Sequence, residues 1–348
     1  MAIDGGGMRG LYSATLLDTL ACRYAREAGV DHLDVGRGFD LIAGTSTGGL
    51  LACALAAGIP TQKIADFYRS EGPKVFSNPV PSSAGRLAVW ALRAWKRPAN
   101  PADRLRAALE AIFGQETLAA VYDRRGIALA ITAVNFEAQA ARVFKTPHHA
   151  PLKQRDNNFT LRDVCLATSA APIYLPPAFI DDPDAPGSFV LVDGGLWANN
   201  PTLVALIEAL ATAPPHKDIV IISIGTSPVP TGKVADGERQ SWGLADWRAG
   251  TMALSTALNV QTESVESIVR LLLPHLERRC EVVRLPATAP SAEQARLMGL
   301  DQASRSSIQV LESLGKRDAD LLHSGAANAG GADSPLHSIF QDMPALPK

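Results

Sequence analysis

"FDLIAGTSTGGLLACALAAG", residues 39–58, decides how the rest of the chain is read. An apolar run enters a turn of Gly44, Thr45, Ser46, Thr47, Gly48 and Gly49, then leaves into a second apolar run. "FDLIAG" reads as a short buried strand. "GLLACALAAG" is apolar on every side, which marks a buried helix, and Gly58 and Pro60 stop it. Strand, G-x-S-x-G, helix is the setting in which a serine becomes a nucleophile. Small residues beside Ser46 suit a strained turn pressed by neighbouring chains. The turn lifts the hydroxyl clear of a sheet, and the helix N-terminus beyond it favours developing negative charge. The alternative is a glycine-rich turn in which Ser46 only caps the helix.

Working outward, "IALAITAVNF" at 127–136, "FVLVDGG" at 189–195 and "IVIISIG" at 219–225 read as core strands bounded by turn residues. Residues 1–3 form the stub of another strand, one that would begin earlier in a longer chain. A helix is expected from about Tyr12 to Ala28, ending on Gly29. Strands alternating with helices predict an α/β sheet covered by helices on its faces. Residues 244–322 read as mostly helical, with Trp247, Leu254, Leu258, Val265, Ile268, Val269 and Leu272 on an apolar stripe. The stretch 323–348, with "SGAANAGGADSP", reads as a flexible tail behind a domain spanning 1–322.

"DGGGMRG", residues 4–10, is a second strand-to-helix junction. Gly5, Gly7 and Gly10 satisfy G-x-G-x-x-G, so a dinucleotide loop of a nucleotide-dependent oxidoreductase is one reading. It would want an acidic residue at the tip of the next strand, and that strand ends in the serine turn instead. The second reading is an oxyanion hole. The backbone N–H groups of Gly5, Gly6 and Gly7 stand without side chains in the way and can surround an oxygen that turns negative. Arg9 would add charge there, or else sit at the surface in the first helical turn.

Ser46 also needs a proton acceptor. Asp193 followed by His216 or His275 has the chain order of a Ser-His-Asp esterase, yet His216 lies in the polar loop "PPHKD" and His275 follows Pro274. Asp193 itself ends the apolar run "FVLV" and precedes Gly194 and Gly195. A carboxylate at the tip of a buried strand is costly without a partner or a task. Burial raises its pKa, so it can take the serine proton directly. A turn-forming role is the alternative.

The chain of 348 residues is 47% apolar and 20% charged, with net charge −2, which fits a globular enzyme and excludes a global basic field for nucleic acid polymers. Cys22, Cys53, Cys165 and Cys280 lack metal-ligand spacing and read as free thiols of a reducing cytoplasm, without a structural metal. No window reaches membrane-spanning length. "GRLAVWALRAWKRP", 85–98, places Trp90 and Trp95 on one apolar stripe beside Arg86, Arg93, Lys96 and Arg97. It reads either as peripheral contact with an anionic bilayer or as a helix packing on the core.

Three glycine-flanked strand ends in this order, together with "TSAAPIYLPP" at 168–177, "DGGLWANNP" at 193–201 and "ISIGTS" at 222–227, resemble the patatin-like phospholipase family over roughly residues 1–230. The resemblance implies a three-layer α/β/α fold with a central, mostly parallel sheet and additional C-terminal helices. It implies a lipid acyl hydrolase acting on phospholipid, with Ser46 as nucleophile, Asp193 as general base, and Gly5, Gly6, Gly7 and Arg9 around the oxyanion. No cofactor is then required. Bacterial members of this size are similar to antiphage effector lipases that a cyclic dinucleotide switches on, although no motif reads as a nucleotide pocket. Such a lipase would be cytoplasmic and peripheral at the inner membrane when active.

Overall fold

Ile3, Ile42, Leu129, Ile131, Ile222 and Ile224 pack into one hydrophobic core, while Ala2, Ala43, Ala130 and Ile221 pack into another. That alternation is the period-two signature of strands buried on both faces. The computed structural model describes residues 1–81, 83–93, 96–148, 155–227, 242–243, 246–325 and 334–347. Among these, eight strands form one sheet: β1 (Ala2–Ile3), β2 (Leu41–Thr45), β3 (Ala128–Asn135), β4 (Ala140–Lys145), β5 (Ala178–Asp181), β6 (Ser188–Asp193), β7 (Ile219–Ile224) and β8 (Cys280–Arg284).

Strands β3, β2, β1, β7 and β8 are parallel neighbours in that order. The remaining pairings, β3–β4, β3–β6 and β5–β6, are antiparallel. The expected parallel sheet therefore accounts for five strands, and β4, β5 and β6 make it a mixed sheet. β3 folds straight back into β4, a hairpin, while β6 returns to β3 from the other side. β4, β5 and β8 went unread in the sequence, because their partly exposed positions blur the apolar run.

Helices cover both faces. α1 (Gly10–Ala28), α2 (Thr47–Ala57) and α3 (Thr61–Val75) join the first core together with Arg305–His323. Thr202–Thr212 and Thr251–Leu272 close the second. α1 ends on left-handed Gly29 as expected, and α2 is buried from Thr47 to Ala56. In Thr251–Leu272, Val265 and Val269 are buried one turn apart, whereas Ile268, assigned to the same stripe, faces outward at 49% exposure.

Two expectations are corrected. Residues 323–348 are not a flexible tail where the structure describes them. His323 closes the helix Arg305–His323, and Pro335–Gln341 is a further helix with Leu336 and Phe340 buried in the first core. Leu33 bridges Ala345, and the Leu346 N–H donates to His32 O at 2.8 Å, tying the chain end to the loop after α1. The glycine-rich composition masked the apolar pair four residues apart. The second correction concerns Trp90, in the helix Ala84–Arg93. It is 5% exposed, packs with Val80, Leu87 and Tyr174, and sends its indole N–H toward Asn78 O at 3.4 Å. Trp90 faces inward and is not a membrane contact; Val89 and Leu92 expose apolar side chains on the same helix. Trp95 lies outside the described residues, as do the side chain of Arg93 and His149.

Candidate active site

β3 brings the site together. Along one edge it pairs with β4 over Ala130–Asn135. Its other edge takes β2 over Ala128–Thr132 and then β6 over Ala133–Asn135. β2 and β6 run in opposite directions and meet end to end, with Thr45 opposite Thr132 and Asp193 opposite Ala133. The residue after Thr45 is Ser46, so the serine turn and the carboxylate at the tip of β6 arrive at one point. Thr45 and Thr132 share a hydroxyl hydrogen bond of 2.7 Å beneath them.

Ser46 stands between β2 and α2 with φ 53° and ψ −124°, a left-handed conformation that costs a non-glycine residue energy. Two anchors hold it there. Its N–H donates to Thr168 Oγ1 at 2.8 Å, and its carbonyl accepts from the N–H groups of Gly49 and Leu50. Gly48 lets the turn close: a Cβ there would lie 2.1 Å from Ile3 O. The Ser46 side chain makes no capping bond to α2. Its hydroxyl instead donates to Asp193 Oδ2 at 2.6 Å.

Asp193 is 6% exposed, and its second oxygen, Oδ1, accepts from the Gly195 N–H at 2.7 Å. Burial pushes its pKa up to about 6, against the opposing pull of the two hydrogen bonds from Ser46 and Gly195. The carboxyl thus changes charge close to neutral pH, where a proton acceptor is most useful. Gly194 donates its N–H to Thr168 O at 3.3 Å, so Thr168 ties together the serine turn and the carboxylate turn.

The glycine loop is more selective than its sequence implies. The Gly5 N–H donates to Asn199 O at 2.9 Å, which removes Gly5 from the expected oxyanion donors. The Gly6 and Gly7 N–H groups have no hydrogen-bond partner among the described residues, and both glycines border the pocket that holds Ser46 and Asp193. Gly7 has φ +56° and packs against Leu300, whose carbonyl accepts from the Met8 N–H at 2.8 Å. Arg9 is not among the residues that line that pocket. It is buried, its Nε donates to Gly6 O at 3.4 Å, and it lines a polar cavity of about 840 Å³ behind the loop, with Asp4 and Arg284. Arg9 thus braces the loop through Gly6 O. Gly10 opens α1, and Gly44 lies in β2 directly below the serine turn.

The pocket in front of Ser46 is apolar, walled by Met8, Leu50, Phe67, Tyr68, Leu175 and Leu258. No histidine lines it among the described residues. His216 precedes β7 and His275 precedes β8. Both stand at the starting ends of parallel strands, whereas Ser46 lies at the finishing end of β2. Thr168, Asn199 and Leu300 were not assigned a place in the site from sequence. Thr168 and Asn199 lie inside "TSAAPIYLPP" and "DGGLWANNP", which carried the signal without the role.

A family model described as patatin-like phospholipase matches residues 1–206, a span that contains both Ser46 and Asp193. A "cGAMP-activated phospholipase" of Pseudomonas aeruginosa is 33% identical over 78% of this chain and 74% of its own length. A protein of the same name from Escherichia coli is 31% identical over 92% of this chain and 88% of its own length. "Patatin-like protein 4" of Arabidopsis thaliana is 28% identical over 92% of this chain and 82% of its own length.

Proposed function

The chain belongs to the patatin-like phospholipase family and is a lipid ester hydrolase, and from that premise we propose that it works through Ser46 as nucleophile and Asp193 as its only base. The observation that carries this reading is the direct 2.6 Å hydrogen bond from the Ser46 hydroxyl to Asp193 Oδ2. Asp193 takes the proton as Ser46 Oγ attacks the acyl carbonyl, and the tetrahedral oxygen turns negative. The N–H groups of Gly6 and Gly7, which border the pocket, and the N-terminus of α2 then stabilise it. Asp193 returns the proton to the leaving alcohol. A water deprotonated by the same carboxylate hydrolyses the acyl-enzyme, which restores Ser46.

The substrate in this reading is a membrane phospholipid, cleaved in the manner of a phospholipase A. The apolar pocket beside Ser46 suits a fatty acyl chain. Leu196, at the pocket rim, is 45% exposed, and Phe136 and Leu92 also present apolar side chains to solvent. Such residues suit peripheral contact with a bilayer. No helix among the described residues is long and apolar enough to cross a membrane.

Activation by a cyclic dinucleotide, and with it a role in antiphage defence, is supported by the names of the Pseudomonas and Escherichia relatives. Fatty acid release from phosphatidylglycerol vesicles, with and without a panel of cyclic dinucleotides, tests both layers. Release that rises only with one cyclic dinucleotide, and vanishes in Ser46→Ala, is the expected result. Full release without any nucleotide ends the activation reading. No release under any condition ends the phospholipase reading.

A further inference from the structure

Three helices lead away from Ser46 side by side, each lining the same seam turn after turn. α2 contributes Thr47, Leu50 and Ala54; α3 contributes Val75, Phe67 and Ile64; and Asp103–Phe113 contributes Leu105, Leu109 and Phe113. The near part of the seam is the apolar pocket at Ser46. Its far part is a second apolar pocket of about 220 Å³, walled by Ala54, Ile64, Leu109, Ile112 and Phe113. Leu50, Phe67 and Tyr68 border both pockets and so stand between them. From Val75 to Ile64 the seam follows eleven residues of α3, about 16 Å at 1.5 Å per residue.

The three partition residues are not equivalent. The Tyr68 hydroxyl donates to Thr47 O at 2.9 Å and accepts from Thr47 Oγ1 at 2.6 Å, which locks the ring in place. Leu50 is buried on α2, one turn beyond Ser46. Phe67 is half-buried, has no polar anchor, and stands edge-on to Tyr68 with centroids 5.7 Å apart. Of the three it is the one neither buried nor hydrogen-bonded, so its replacement disturbs the core least.

We propose that Phe67 sets the acyl-chain length this enzyme accepts, by separating the pocket at Ser46 from a latent distal subsite for the methyl end of longer fatty acyl chains. The proposal rests on the acyl-hydrolase reading of the Ser46 pocket. Each methylene seated against apolar walls is worth about fourfold in affinity. The gain with chain length stops where the chain meets Phe67, and it resumes when the ring is gone.

Calorimetric titration with octanoate, decanoate, laurate and myristate tests this without needing turnover. p-Nitrophenyl esters of the same acids give the kinetic counterpart. In Phe67→Ala, the ratio of myristate to octanoate affinity is expected to rise at least about tenfold over the unmodified protein. Ile112→Trp, filling the distal pocket from its half-buried opposite wall, is expected to return that ratio to its original value in the Phe67→Ala background. An unchanged ratio in folded Phe67→Ala, a raised ratio that Ile112→Trp leaves untouched, or no fatty acid binding at all would each overturn the proposal. If the affinities shift as described but no ester is hydrolysed, the channel stands and the hydrolase assignment of Ser46 fails.

Discussion

The Ser46 hydroxyl and the Asp193 carboxylate lie 2.6 Å apart although 147 residues separate them in the chain. They meet because β2 and β6 end against each other on one edge of β3. Neither side chain needs a histidine to reach the other. The carboxylate is held from its far side by the Gly195 N–H, which leaves Oδ2 aimed at the serine.

Asp193→Asn is expected to abolish ester hydrolysis and to raise stability. A buried carboxylate whose pKa stands at about 6, against 3.8 in the unfolded chain, is held in its charged form at neutral pH at a cost on the order of 3 kcal/mol. The amide removes that charge while keeping the shape. Thermal melts at pH 7 beside an ester assay check both halves; a variant that loses activity and also melts lower argues that Asp193 is structural.

The pH dependence follows from the same group. Activity needs the carboxylate, so kcat/KM is expected to fall as pH drops through about 6. Stability runs the other way. Between about 3.8 and about 6 the folded chain holds the Asp193 proton more tightly than the unfolded chain does. Its contribution to stability is therefore fully present at the acid end and lost as pH rises through 6. Urea melts across this range, with Asp193→Asn flattening that part of the curve, measure it.

Trp90 and Leu92 separate core packing from surface contact within one helix. Trp90→Ala is expected to cost about 3–5 kcal/mol, as removal of a buried aromatic ring does. Leu92→Ser, at a position 77% exposed, should change stability by no more than about 0.5 kcal/mol and weaken binding to anionic vesicles. Vesicle flotation and thermal melts on the two variants give the answer. Unaltered flotation of Leu92→Ser removes this helix from the membrane contact.

Phe340 tests the chain end. It is 1% exposed, in the first core, against the ring of Tyr24, so Phe340→Ala is expected to destabilise by about 3–5 kcal/mol. The Tyr24 hydroxyl also hydrogen-bonds His337 of the same helix. A melting temperature equal to that of the unmodified protein would mean that Pro335–Gln341 contributes nothing to the fold.

Much of this site is legible before any coordinates are seen, for a local reason. A strand that ends in G-x-S-x-G before an apolar helix marks Ser46 as a nucleophile or a cap, and "FVLVDGG" puts Asp193 at another strand tip. Those signals depend on side-chain period and on backbone room, both written within ten residues. The misreadings share the opposite cause. Gly5 looks like its two neighbours until Asn199 O takes its N–H, and Arg9 looks exposed until the turn Gly7–Arg9 buries it against Gly6 O. Trp90 sits on a stripe whose inner and outer readings have the same period, and only Val80 and Tyr174 decide between them.

The chain by itself determined an α/β core, a strained serine between a strand and a buried helix, a glycine loop ahead of it, and an acid at a third strand end. Tertiary structure alone decided that β6 runs antiparallel onto the edge of β3 that β2 vacates, and hence that this acid touches the serine, with no histidine beside it among the described residues. It also decided that Asn199 O takes the Gly5 amide. Pairing order and hydrogen-bond partners depend on groups more than a hundred residues away, and the sum of buried contacts selects them, which no single stretch of sequence encodes.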